Sequence, residues 1–254
     1  MMKNDLLHEL YKFRHRHIPI YGIVVLFCLM LYTAMPSTNI TKSLVAQGFG
    51  TTQWSCIIMI ALSSDIISME YRDNTMPTLI YKTAHRFVLY SAKFLVLILY
   101  SIVLLFTGMI FSLIIKAITI GAKFSWCTTF YHSHILLNAL FLNLCGTMIY
   151  LLFIISLSLL LISLVKTNAT VIIIGLAIAF LGADLSNLSM TVFPHLQGFL
   201  AWNPLNMINI INQLSNSNVI MLTHLTNLEL IMGNIIYTVL FFLLGFWAFK
   251  KRPV

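Results

Sequence analysis

Acidic residues are scarce in this 254-residue chain, which holds seven Asp and Glu against fifteen Lys and Arg. Where they stand is therefore informative. Asp65 lies inside an apolar run, five residues before Glu70. A carboxylate in hydrocarbon is costly and commonly serves as a proton relay or as counter-charge to a cargo. The nearness of Asp65 to Glu70 and to the end of its run favours a plainer role, in which it reaches water or pairs with Lys or Arg. His132 and His134 form a His-x-His pair, yet a zinc site needs three or four ligands in tetrahedral reach. Cys28, Cys56, Cys127 and Cys145 show no Cys-x-x-Cys spacing, and small buried hydrophobes are the expected role for most of them. No GxxxxGK[ST] loop occurs, so nucleotide binding by that route is excluded, and neither HExxH nor a paired-glutamate motif is present. These residues predict no catalytic centre and no cofactor.

The elements that must position such groups follow from composition. Hydrophobic residues make up 59% of the chain and charged residues 9%, against about 25% charged in a soluble domain. Polar surface sufficient to cover a soluble fold is missing, so lipid is the solvent for most of the chain. Spanning-length apolar runs begin at Ile18, Thr51, Phe94, Ile135, Asn168 and Leu228. The first is preceded by a basic stretch, but it is long enough to span and ends in a poor cleavage sequence, so it reads as a retained helix. The fifth run stops at Ala183, before Asp184. The expected fold is all-α: one transmembrane domain over residues 1–254, with six transmembrane helices.

Charge sets the expected orientation. The net charge of +8 would suit a nucleic-acid partner, but the basic residues cluster beside apolar runs, as topology signals do. With the N-terminus inside, twelve Lys and Arg fall on the cytoplasmic side, and only Lys42, Lys116 and Lys123 fall outside. Both termini are expected in the cytoplasm, and no nucleic acid is expected as partner. Residues 3–17 alternate Leu6, Leu7, Leu10, Tyr11 and Phe13 with Lys3, Glu9, Lys12 and Arg16 at helical spacing. This pattern predicts an interfacial helix, apolar side in the lipid and basic side among headgroups. Between the fifth and sixth spans, residues 185–228 carry Pro194, Pro204 and a series of Asn residues. Broken backbone at membrane depth needs protein or water to satisfy it, so short re-entrant helices are expected there; an ordinary outer loop with aromatic anchors is the competing reading.

The densest charge lies in residues 68–93, where Glu70, Tyr71, Arg72, Thr75, Leu79, Arg86 and Lys93 fall in a set order. That order resembles the first cytoplasmic loop of ABC-2 type export permeases, whose usual form is Glu-Tyr/Glu-Arg-x-Gly-Thr, an apolar turn, a basic pair, then a Lys opening the third helix. Asn74 stands where that family usually has Gly, and both tolerate a left-handed turn. His85 departs from the small residue that commonly precedes the Arg. In length and in its Asn- and Ile-rich style, the chain is similar to permeases that export amphipathic bacterial peptides such as phenol-soluble modulins.

The resemblance implies work received from a separate ABC ATPase, present in two copies, at a coupling loop over residues 70–86. Leu79 and Ile80 would anchor that loop in a groove of the ATPase, and Glu70, Arg72, Asp73 and Arg86 would form a rim fixing register, beside Tyr71 and Thr75. A second permease subunit, identical or a sister, would complete the path, with membrane lipids around the pair. Two other readings stay open: an ion-coupled secondary transporter titrating at Asp65, and a non-transporting membrane protein that sequesters a peptide.

Overall fold

The computed structural model describes residues 2–35, 40–82, 86–119, 121, 124–131, 134–165 and 167–251. The chain begins with α1 (Met2–His15), turns at His17 and continues as α2 (Ile18–Ala34). His17 takes a left-handed conformation, and the two helices meet at a 58° bend. A short α3 (Lys42–Ala46) leads into α4 (Thr51–Arg72), which is followed by α5 (Met76–Lys82) and the 34-residue α6 (Arg86–Thr119). A two-stranded hairpin, β1 (Thr129–Tyr131) with β2 (His134–Ile135), precedes α7 (Leu136–Leu164). After α8 (Asn168–Val192) come the short helices α9 (Gln197–Leu200), α10 (Ile210–Gln213) and α11 (Ile220–Thr223), interleaved with 3-10 turns, and finally α12 (Asn227–Lys251). Among the described residues five helices are individually long and apolar enough to cross a bilayer, and the bent α1–α2 pair, taken as one span, makes six. The chain is an all-α, multi-pass membrane protein.

Helix α7 is the hub. It is apolar on nearly every face, as a helix must be when protein surrounds it, and it packs against α12, α4, α6 and α10. By contrast α8 and α12 turn most of their apolar surface outward, including Ile173, Phe180, Leu181, Ile235, Val239 and Leu243. An unpaired apolar face of that extent belongs in lipid or against another subunit.

Two helix limits differ from the expected ones. Helix α6 starts at Arg86, a full two turns before the apolar run at Phe94. Phe87, Tyr90 and Phe94 pack against Phe242, Phe246 and Phe249 of α12, and this aromatic cluster carries the helix beyond the apolar stretch. Helix α8 runs through Asp184 to Val192 instead of ending at Ala183. A single carboxylate lowers helix propensity only slightly and does not stop a helix when its side chain faces a polar recess.

The segment between α8 and α12 folds back into the helix bundle. Gly146 of α7 lies against the backbone of this segment, such that a Cβ would sit 3.1 Å from the Ile210 carbonyl carbon and the Ile211 Cα. Gly146 is ten residues into α7, so Ile210 reaches about 15 Å along it from its start. Asn234 of α12 donates to the Met207 carbonyl at 3.2 Å, about 10 Å along α12 by the same rise. The carbonyls freed by this broken backbone find side-chain amides. Asn206 donates to the carbonyls of Ala201 (2.7 Å) and Thr223 (3.0 Å), and Gln213 donates to that of Leu225 (2.8 Å). Ser215 donates to Asn143 of α7, which donates to the Ala46 carbonyl. The Asn and Gln residues of this stretch thus replace the hydrogen bonds that continuous helix would have made.

Candidate coupling site at the basic end

The Lys and Arg residues of α1, α4 and α12, with Arg86 and Lys93 of α6, gather at the end of the bundle where α1 meets the root of α4 and α12 ends, and the site is built there. Helix α4 ends in a left-handed turn. Asn74 has φ +53°, the Thr75 amide donates to the Glu70 carbonyl (3.0 Å), and the Asn74 amide donates to that of Tyr71 (3.3 Å). These two bonds make a Schellman cap, in which Asn stands in for the usual Gly. The Thr75 hydroxyl also donates to the Glu70 carboxylate, locking that side chain against the turn.

Glu70 faces inward and is 1% exposed. Its carboxylate accepts from Lys12 of α1 and from Lys93 of α6, the latter at 3.2 Å. Lys93, also 1% exposed, reaches Glu9 of α1 at 2.8 Å. Two acids and two bases from three helices therefore close a neutral cluster, buried except at Lys12, which stays partly exposed. Charges removed from water need such mutual compensation, since each alone costs several kcal/mol. A recess lined by Glu9, Lys12, Phe13 and Arg16 on one side and by Ile66 and Met69 on the other adjoins it. Arg16 contacts the Met69 sulfur across it.

This arrangement revises two expectations. Glu70 does not stand on a rim; it is turned away from the surface and ties α4 to α1 and α6. The polar stripe of α1 likewise faces protein: Glu9 is buried and Lys12 pairs with Glu70, while Leu7 and Tyr11 point outward. The reason in both cases is the same: the packing of α1, α4 and α6 takes these charges out of water, and each is then compensated by a partner on a neighbouring helix.

The rest of the hairpin divides into root and surface. Met76 is buried, and Leu79 is half-buried with one side packed against the core. Tyr71 also packs on the core. Pro77, Thr78 and Tyr81 are exposed, Tyr81 at 92%. The side chain of Ile80 lies outside the described residues, as does His85. Arg72 and Asp73 form an exposed pair at 3.6 Å. Arg86 is drawn elsewhere: it donates to the Lys250 carbonyl at 2.7 Å, capping the C-terminal end of α12. Asp65 is half-buried in α4, and among the described residues it makes no ion pair; Arg72 and Arg16 act on it electrostatically without touching it. His132 lies outside the described residues, with the side chain of His134.

Sequence reading did not single out Glu9, Lys12 and Lys93 as partners of Glu70, nor Tyr81 as the exposed aromatic. One signal was available for the cluster. Lys93 stands immediately before the apolar run at Phe94, and a cation at that boundary gains from a nearby acid.

The class is now defined: a polytopic membrane subunit whose second and third spans are joined by an exposed, charged hairpin, with no nucleotide loop in its sequence. The family model described as ABC-2 family transporter protein matches residues 6–183, and the chain belongs to that family. It is accordingly a permease subunit of an ABC transporter, a membrane component whose family implies an ABC ATPase as partner. The match takes in α1 from Leu6 onward, α4, α5, α6 and the whole ionic cluster, and it ends one residue before Asp184. No curated protein matches the chain.

Proposed function

We propose that this chain is the permease of an ATP-driven exporter that moves an amphipathic or hydrophobic substrate, a peptide by preference, out of a bacterial cell. The basic end faces the cytoplasm, since Lys and Arg concentrate there. Two ATPase subunits act on a pair of permeases, identical or sister, and the broad apolar faces of α8 and α12 are suited to that pairing and to lipid. One observation carries the reading. Helix α5 is exposed through Pro77, Thr78 and Tyr81, yet its root is held by Met76, Leu79 and the Glu70 cluster. Force applied to such a helix passes into α1, α4 and α6 together, because the cluster joins all three. A solvated loop would dissipate the same force.

Co-expression with an ABC ATPase and reconstitution into proteoliposomes tests this. The permease alone should hydrolyse no ATP, and the pair should export a labelled amphipathic peptide only with ATP. Tyr81→Ala should lower ATP-dependent export about thirtyfold, as for a central aromatic anchor worth about 2 kcal/mol, with the melting temperature unchanged. Equal export by the variant, or export driven by an imposed ion gradient without ATP, would overturn the coupling assignment.

A further inference from the structure

The end of the bundle opposite the ionic cluster holds a polar recess. A cavity of about 230 Å³ lies between α4, α8 and the folded-back segment. Its polar wall comes from Gln53 of α4, Asp184 of α8, and Asn209 and Asn212, and Ile57 and Phe180 form its apolar side. Gln47 closes one edge by donating to the Asn212 side-chain oxygen at 3.2 Å. Behind that bond lies a second cavity of about 180 Å³, also bordered by Gln47 and Asn212.

Asp184 is the single charged group in the wall. Among the described residues it has no cation and no hydrogen-bond partner, and the Gln53 side chain has none either. Asp184 is exposed on the open side of the recess, about 24 Å along α8 from its start, so a cationic ligand can reach its carboxylate without displacing a counter-charge among the described residues. Amide oxygens of Gln53 and Asn209 supply further acceptors for N–H groups, and they bring no competing positive charge. Ile57 and Phe180 would cover a hydrocarbon stem. A polar anion beside an apolar wall selects for charge and apolar bulk in one ligand.

We infer that this recess binds a primary ammonium group carried on an apolar stem, with Asp184 as its counter-ion. The ammonium donates to the Asp184 carboxylate and to the Gln53 and Asn209 amide oxygens, and its stem lies along Ile57 and Phe180. In an exported peptide the group is a lysine side chain or the amino terminus; that physiological meaning rests on the exporter reading, whereas the binding itself does not.

The test uses the full chain in phosphatidylcholine nanodiscs, whose neutral headgroups avoid non-specific attraction of cations. The probe is monodansylcadaverine, a primary amine on an apolar fluorescent stem, and empty nanodiscs serve as the blank. Saturable fluorescence enhancement is expected with the protein, at least tenfold weaker for the analogue with a hydroxyl in place of the amine. Asp184→Asn should weaken amine binding about tenfold and leave the hydroxyl analogue unaffected. Equal affinity for amine and hydroxyl probes in the unmodified protein would overturn the inference without need of any variant, and so would unchanged amine binding by a folded Asp184→Asn. Amine binding that persists where ATP-driven export fails would sink the exporter reading and leave this site standing.

Discussion

At the scale of single residues, the molecule is governed by the pairing of a few buried charges. Glu70 faces two ammonium groups, from Lys12 and Lys93, whereas Glu9 faces only one. Removing an acid from a buried pair strands its partner, at a cost of about 3–5 kcal/mol. Glu70→Gln should therefore lower stability by about that amount, and Glu9→Gln by clearly less, because Lys93 retains Glu70. Thermal unfolding in nanodiscs measures the order; the reverse ranking would mean that the cluster is not centred on Glu70. These pairings were only partly legible in the sequence. The Glu70–Lys93 spacing matched a family pattern, but nothing along the chain says that Glu9 faces protein, since a basic amphipathic helix has the same residue pattern whether its polar side meets headgroups or an acid on another helix. Asn74 was legible, because few residues other than Gly and Asn accept the left-handed turn that ends α4.

Among the elements, the segment between α8 and α12 is the one whose character the sequence conveyed but whose placement it did not. Its prolines and asparagines announced broken backbone in need of local hydrogen-bond partners. That the segment seats against α7 depends on Gly146, one small residue in a long apolar run, which could as readily have been a plain helix–helix contact. Gly146→Leu should collide with the Ile210 backbone and destabilise the fold by about 1–3 kcal/mol. Gly198→Leu in α9, where an added Cβ meets nothing within 4 Å, should be close to neutral. Melting temperatures of the two variants check this, and similar losses in both would mean that the close approach at Gly146 has no energetic weight. Helix limits were misread for a related reason. Apolar runs mark where lipid begins and ends, whereas Arg86 and Asp184 show that hydrogen-bonded helix continues wherever aromatic packing or a polar recess gives the next residues a place.

For the molecule as a whole, the two ends are held by different forces. The basic end is closed by ion pairs and the aromatic cluster of α6 and α12, on long helices whose amides bond within the helix. The opposite end is held by amide side chains bridging short helical pieces. Hydrogen exchange should therefore proceed at least tenfold faster over residues 194–223 than over residues 90–105 of α6, as short segments with few intrahelical bonds open more readily. Exchange–mass spectrometry in nanodiscs reads this, and equal protection would contradict the contrast. The count of spans, the charge asymmetry and the family were all readable from composition and one loop, because lipid imposes its demands residue by residue along the chain. Which helix sits at the centre was not, since α7 and α6 are similarly apolar and only packing distinguishes them.

A further consequence follows from the 58° elbow at His17. Helices α1 and α2 follow one another with two residues between them, so a tilt of α1 pulls directly on the start of the first span. Since α1 is fastened to the roots of the second and third spans by salt links, three of the six crossings form a single rocking frame. The remaining three meet it through the α6–α12 aromatic cluster, the Arg86–Lys250 hydrogen bond and amide bonds, and a passage that opens by shear would open along that seam.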